Sequence, residues 1–541
     1  MRYLSENKRE DMRMKKRTAA RSMAALMGAA MVLTACGGGN TTAPTTGASS
    51  GGETQTASES AESGKITKTD IVVGQASDIV TLDPAGQQDT TSGVLMKHAY
   101  STLLDVDNEG KVVPDLAESY EMKSDTEYVF KLREDACFWD GTPVTAQDVK
   151  FSLDRAKGMP KTKSNTSKIE EVTVNGDHEV TIKLTEPYAA FKTIVTQHNL
   201  SILSEKAVTE AGDSYGDVDN LLGSGPFKVT EWVPNDHYTL VRNDNYWGEM
   251  PIATSITCRV IPEGSARTIA LEAGEIDVVW SVDPTDCANV ESNPDVKLLS
   301  QPSTGIDYVG MNTQKEKFSD KRVRQAINYA LDKQTFVDTI IEGRGLVANS
   351  YINAAIPGWT DEVEAYPYDP EKAKELLAEA GYPDGFECSI FVNGDLRTRS
   401  AQILQAQLAD VGIKVDISTY EWGALLDTLN AGEHEMFLLG WSNTSFDPDG
   451  STYQLFYSGN HGATGNRAFF SNDKVDELIL SAQRESEESK RMELYKELQF
   501  VLHDESPWCP LYYKENNVGV RADLKGFTLH AGAQHYLGNC H

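Results

Sequence analysis

Between Gly37 and Gly64 the chain consists mostly of Gly, Ser, Thr and Ala, with Glu53, Glu59 and Glu62 as its only charges. Such a stretch buries too little apolar surface to offset the entropy of ordering it, so it is read as a tether and not as part of a core. Its 28 residues form a flexible coil with a typical reach of roughly 30 Å. Globular structure is therefore expected only from residue 65 onward, and whatever precedes the tether has a separate task.

What precedes it has the layout of an export signal. Residues 1–35 hold eight Lys and Arg against three acids, and Lys15-Lys16-Arg17 with Arg21 lead into an apolar run from Met23 to Ala35. Basic then apolar is the order of a secretory leader. The run is too short to span a bilayer, which takes about 20 apolar residues. Leu33-Thr34-Ala35-Cys36 resembles the lipobox of bacterial lipoproteins. By that resemblance Cys36 is diacylated on sulfur and becomes the mature N-terminus, which would anchor an exported chain to the outer face of the cytoplasmic membrane, at the cell surface or in a periplasm.

Length and charge narrow the rest. A chain of 541 residues exceeds what one hydrophobic core serves, so two or more domains or lobes are expected. Fifty basic against 81 acidic residues give a net charge of −31, which repels nucleic acid and anionic lipid surfaces. Membrane contact is thus expected through the lipid alone. Beyond Cys36, the six cysteines Cys137, Cys258, Cys287, Cys388, Cys509 and Cys540 are widely spaced and contain no C-x-x-C pair, which removes support for zinc and redox motifs. Disulfides and free buried thiols both remain open.

The body has a mixed α/β texture. Residues 171–184 alternate apolar and polar on both sides of Asn175-Gly176, the signature of a hairpin. Thr145 and Asp148 frame a helix start, Asp369-Pro370 opens a helix that Gly381 stops, and Val323, Ala326, Ile327, Ala330 and Leu331 mark another helical stripe. Catalytic and metal motifs fail on inspection. Asp105-Val-Asp107-Asn-Glu109-Gly110 begins like a calcium loop, but the twelfth position is Leu116, so a polar turn is expected. His434-Glu435 begins a zinc-protease motif that Leu438 does not complete, which leaves His434 as an expected solvated loop residue. A G-x-S-x-G match at Gly47–Gly51 lies inside the tether, with no strand or helix to support a nucleophile. No cofactor, metal site or enzymatic activity is expected.

The runs "TLDPAGQQDTTSGVLMKHAYSTLLDVDNEGKVVPDLAESY" and "YVFKLREDACFWDGTPVTAQDVKFSLDRA" resemble the family 5 extracellular solute-binding proteins of ABC transporters, a family of dipeptide, oligopeptide and nickel receptors. Collinear matches continue through "GSGPFKVTEWVPNDHYTLVRNDNYW", "GEIDVV", "FSDKRVRQAINYALDK", "YDPEKAKELLAEAGYPDG", "VGIKV" and "GWSNTSFDPDG". The resemblance implies a two-lobed α/β periplasmic-binding-protein-like fold (type II, cluster C) with an extra subdomain in the first lobe. Residues 1–35 are then the leader and 36–64 the tether. The first lobe is expected at 65–303 and 515–541, with the extra subdomain at about 105–222, and the second at 304–514.

The same resemblance places Trp422 and Trp441 in the pocket, where flat indoles bury ligand surface without demanding one side-chain chemistry. In peptide receptors of this family an aspartate three residues after the second tryptophan holds the peptide ammonium; here that position is Thr444, beside Asn443 and ahead of Asp447. Either Asp447 takes the role, or the ammonium lies elsewhere, or the ligand is not a simple peptide. Arg397, with Arg399 in reserve, matches a basic pocket position suited to gripping a carboxylate. Gln88, with Gln87 and Asp89, is expected at the cleft edge. The implied function is capture of an oligopeptide or dipeptide by lobe closure and delivery to an ABC permease and its ATPase by a monomeric receptor. An oligosaccharide receptor is the main alternative, since tryptophans without the aspartate suit sugars. A nickel or metal-chelate receptor is weaker, because no histidine lies in the Trp441 motif. A surface hydrolase or a signalling or adhesion lipoprotein would be a different class.

Overall fold

Two long strands, Val296–Met311 and Trp508–Arg521, run antiparallel through the middle of a sheet in the computed structural model, which describes residues 68–541. The leader, Cys36 and the tether lie outside the described residues. Among the described residues the sheet has 11 strands. Ten follow in the order 413–419, 386–392, 436–442, 296–311, 508–521, 278–279, 70–75, 255–260, 237–242 and 227–233, and Gly345–Val347 pairs with Trp508–Arg521 off this path.

Each flank of the central pair is an α/β unit. On one side Phe386–Val392 is parallel to Ile413–Thr419 and to Met436–Ser442, with helices Gly394–Ala409 and Trp422–Asn430 as crossovers. Parallel strands covered on both faces carry unbroken apolar runs, and Met436 to Leu439 are all buried. On the other side Asp70–Gln75 is parallel to Ser255–Val260 and Val278–Val279. A separate antiparallel sheet, in the order 117–124, 127–132, 179–184, 169–176, has its own core around Phe130, Phe138 and Phe191. The predicted mixed α/β class holds.

Local expectations meet mixed outcomes. Thr145 and Asp148 form a reciprocal capping box on helix Ala146–Lys157, and Asp369 caps Pro370–Glu379 by accepting from the Lys372 amide at 2.9 Å. Asp107 accepts from the amides of Glu109 and Lys111, so the 105–110 loop is a polar turn. The hairpin is present, but its turn falls at Asp177-His178 and not at Asn175-Gly176. Gly176 pairs with Glu179, and the Asn175 side chain donates to Glu179 and Thr181, which keeps it in the strand. His434 is fully buried and not solvated. All six described cysteines are free thiols.

The central strands are joined by packing as well as by their ladder. Tyr308 and Trp508 stack with ring centroids 3.4 Å apart and planes 9° from parallel, and Trp508 is 1% exposed. Trp508→Ala is expected to cost about 3–5 kcal/mol, read as a lowered urea midpoint; an unchanged midpoint would show that the stack contributes nothing. A second expectation concerns pH. Burial pulls His98, His434 and His530 down to about 4, and His198 and His535 down to about 3. Unfolded histidines take up protons from about pH 6.5, so the contribution of these five is complete above that pH and is lost as the pH falls toward 4. Burial pushes Asp115 up to about 7 and Asp449 up to about 6 and raises Asp89, which acts in the opposite direction, but these three groups oppose five histidines. The urea midpoint should therefore fall between pH 7 and pH 5, and less steeply in His198→Gln.

Candidate functional site

In open α/β sheets ligands gather beyond the carboxyl ends of parallel strands, where the chain leaves for its crossover. Three expected residues occupy such ends. Arg397 lies in the first turn of the helix after Phe386–Val392, Trp422 begins the helix after Ile413–Thr419, and Trp441 is near the end of Met436–Ser442. On the opposite flank Gln75 ends Asp70–Gln75, and Trp280 follows Val278–Val279 directly. All of these line a single cavity of about 380 Å³, together with Gln88, Asp89, Thr444 and Arg467, and Lys514 to Asn517 of the long strand.

Contacts cross the cavity from one flank to the other. The Gln88 amide donates to Gln454 at 3.3 Å, and the Thr444 hydroxyl donates to Gln197 at 2.9 Å. Tyr188 donates to Asp449 at 2.6 Å, and Arg399 pairs with Asp283 at 2.6 Å. These bonds tie the two flanks together beside the cavity.

The tryptophans are held differently. Trp441 donates its indole N–H to the Gly450 carbonyl at 3.0 Å, which locks its ring plane, whereas Trp422 and Trp280 have buried indole nitrogens without a closed hydrogen bond. Trp280 stacks on His535 at 5.1 Å between centroids. Sequence reasoning missed Trp280, although it directly follows the "GEIDVV" motif; a large aromatic just past a buried strand end was the available signal.

Charge is distributed unevenly over the wall. Asp307, 2% exposed, is shared by Lys514 at 2.7 Å and Arg397 at 3.7 Å. Arg397 is therefore half-buried and partly neutralised, and Arg399 is occupied by Asp283 and does not line the cavity. Arg344 pairs with Glu291 at 2.7 Å. Arg467 lines the cavity while 5% exposed, and burial pulls its guanidinium below the usual value. Burial pushes the Asp89 carboxyl up, against the amide of Ser92 that it caps. Sequence reasoning missed Arg467 because its loop, Gly462 to Phe469, carries no recognisable motif.

Two expected residues are not brought to the cavity. The Asn443 side chain donates to the Asp447 carbonyl and to Ser451, both at 2.7 Å, and accepts from Ser445, so it builds the loop after Trp441. Asp447 is locked in a bidentate pair with Arg491 at 2.5 and 2.9 Å and accepts from the Asp449 amide. So engaged, Asp447 is outside the cavity lining, and most of its acceptor capacity is taken up within the protein. Among the described residues no group of His, Cys, Asp and Glu is arranged to hold a metal ion, and no helix is long and apolar enough to cross a membrane.

The comparisons with known proteins follow this architecture. The profile of the bacterial extracellular solute-binding proteins, family 5, matches residues 111–463. The chain is 32% identical over 479 residues to the glutathione-binding protein GsiB of Shigella boydii, covering 85% of this chain and 92% of that one. It is 30% identical over 466 residues to the dipeptide-binding protein of Escherichia coli K12, covering 79% and 86%. The structure of the periplasmic binding protein DppA from Helicobacter pylori in complex with the peptide STSA superposes with a TM-score of 0.82 at 29% identity, over 87% of this chain and 98% of that one. With a family profile across most of its length and relatives matched along nearly all of the described body, the chain belongs to the family 5 bacterial extracellular solute-binding proteins, two-lobed transport receptors and not enzymes.

Proposed function

We propose that this protein is a lipid-anchored receptor of an ABC importer that captures a short peptide between its lobes and delivers it to a membrane permease driven by a partner ATPase. The observation that carries the reading is the cavity of about 380 Å³, walled by three indoles and by charges of both signs. That volume lies near the lower end of the roughly 300–1,000 Å³ typical of small-molecule sites, which suits two or three residues better than a long chain. Relatives named for glutathione and dipeptide binding support the same ligand size. Trp422, Trp441, Arg397, Thr444 and Gln88 are the ligand contacts in this reading. Asn443 and Asp447 hold the loop that carries Thr444.

The moving bodies are residues 65–303 with 515–541, which include the extra subdomain at about 105–222, and residues 304–514. They hinge where the two long strands cross between them. Closure would bury the ligand fully while the empty receptor stays open. Cys36 supplies the anchor and the following run the leash, so a monomeric receptor remains captive yet free to reach its permease on the outer side of the membrane. The three indoles and the absence of a carboxylate at position 444 favour an oligosaccharide as the second reading.

Calorimetry and thermal shift with Ala-Ala, Ala-Ala-Ala, Met-Leu and glutathione, against cello- and xylo-oligosaccharides, separate these readings. Peptides should raise the melting temperature; stabilisation by sugars alone would replace the peptide with a saccharide. Trp441→Ala is expected to weaken binding roughly ten- to hundredfold, the equivalent of about 1.5–3 kcal/mol for a buried aromatic. Wild-type affinity in that variant would remove Trp441 from the ligand contacts. Cys36→Ala should move the protein from the membrane to the soluble fraction, because stable anchoring takes two acyl chains; a variant that stays on membranes overturns the lipid attachment.

A further inference from the structure

A peptide receptor without a carboxylate at position 444 must hold the ligand's charges elsewhere, and most charges of the cavity wall are already engaged. Asp307 takes Lys514 and Arg397, Glu291 takes Arg344 with Glu515 nearby, and Arg491 takes Asp447 outside the cavity. Two groups of opposite sign, each with a buried and unpartnered polar atom and no salt bridge, stand out from the rest. Among the described residues no salt bridge reaches either of them.

The first is Arg467. Its Nε donates to Asn430 at 3.0 Å, its Nη2 is buried without a partner, and the residue is 5% exposed. A guanidinium stays protonated in any protein environment, and an unpaired buried cation costs several kcal/mol. The fold nevertheless fixes it in place, since buried His434 donates from Nε2 to the Arg467 carbonyl at 2.8 Å and the Arg467 amide donates to the Gly465 carbonyl. A cation held at such a cost in a ligand cavity fits an anion that arrives with the ligand.

The second is Asp89. Its Oδ1 caps helix Thr90–Ala99 through the Ser92 amide at 2.9 Å, while its Oδ2 is buried in the cavity wall without a closed hydrogen bond. The Trp422 indole and the Lys161 ammonium both face this carboxylate, and Asp89 in turn is among the charges that act on Arg467. Lys161 lies near both groups, and the Trp422 indole N–H is directed at the same carboxylate, whose remaining acceptor capacity is available to a donor from the ligand.

We infer that Arg467 and Asp89 are the charged anchors of the cavity, Arg467 for a ligand carboxylate and Asp89 for a ligand ammonium, so that the site selects zwitterions with both groups free. This rests on the peptide reading above and specifies it further: an unblocked short peptide fits, while a neutral sugar or an end-blocked peptide leaves both buried charges unpaired. A site built around hydrogen bonds to a group rejects ligands lacking it much more strongly than one built on apolar fit.

The experiment is calorimetry on wild type, Arg467→Met and Asp89→Asn, with Ala-Ala-Ala and Met-Leu each in free, C-terminally amidated and N-acetylated form. Wild type should prefer the free peptides over either blocked form by at least about 100-fold. Arg467→Met should bind acid and amide within about threefold of each other and still reject the acetylated form. Asp89→Asn should do the reverse, and asparagine preserves the helix cap, so its fold is protected. If Arg467→Met fails to fold, Arg467→Lys replaces it; the charge without the planar fork should retain only part of the preference for the acid. Wild type that binds peptides without regard to end-blocking overturns the anchors and leaves the peptide reading standing. So does an Arg467 variant that keeps the full preference for the acid. A folded wild type that binds no peptide in any form overturns both.

Discussion

The antiparallel ladder between Val296–Met311 and Trp508–Arg521 is the constraint from which the rest of the molecule hangs. Its lower part pairs Val296 with Arg521 through Pro302 with Glu515, and its upper part pairs Ile306 with Tyr513 through Gly310 with Trp508. Between them the register breaks, and Ser303 fills the gap by donating to the Lys514 carbonyl at 2.7 Å while accepting from the Gly305 amide. A proline and a shift of register interrupt regular pairing, so the strands bend there and their backbone faces open space. Lys514 to Asn517, opposite the break, line the cavity. The Tyr308–Trp508 stack packs the upper part, where the register shifts once more between Asp307 and Tyr308, while the lower part joins the Asp70–Gln75 flank through Val278–Val279.

Around this support the cavity combines two kinds of buried charge. Asp307 is compensated within the protein by Lys514 and Arg397, and such a pair fixes side-chain positions more than it adds stability. Among the described residues no salt bridge compensates Arg467 or Asp89, so their desolvation is borne by the fold in advance. Indoles supply the remaining contact area with little demand on ligand side chains. In the proposed reading apolar walls would confer tolerance and isolated charges selection, and the two are separable because they reside in different side chains.

Much of this was legible in linear order. Capping at Thr145 and Asp369, the turn at Asp107 and the strand-ending tryptophans are local, set by residues a few positions apart. The errors were also local readings, undone by partners outside the motif that was read. His434 looked solvated because only its failed zinc motif was visible, whereas Arg467, far along the chain, takes it into the interior. The hairpin turn moved to Asp177-His178 because Asn175 bonds across the strands to Glu179 and Thr181. Asp447 resembled a ligand group until Arg491 claimed both of its oxygens.

By itself the sequence determined the α/β class and the family, because each depends on short motifs read in order. Only the tertiary structure decided which charges are available to a ligand. Whether Asp307, Asp447, Arg397 or Arg467 is paired depends on partners tens to hundreds of positions away that only the fold brings together, and a charge declares its role only when its neighbours either neutralise it or leave it bare.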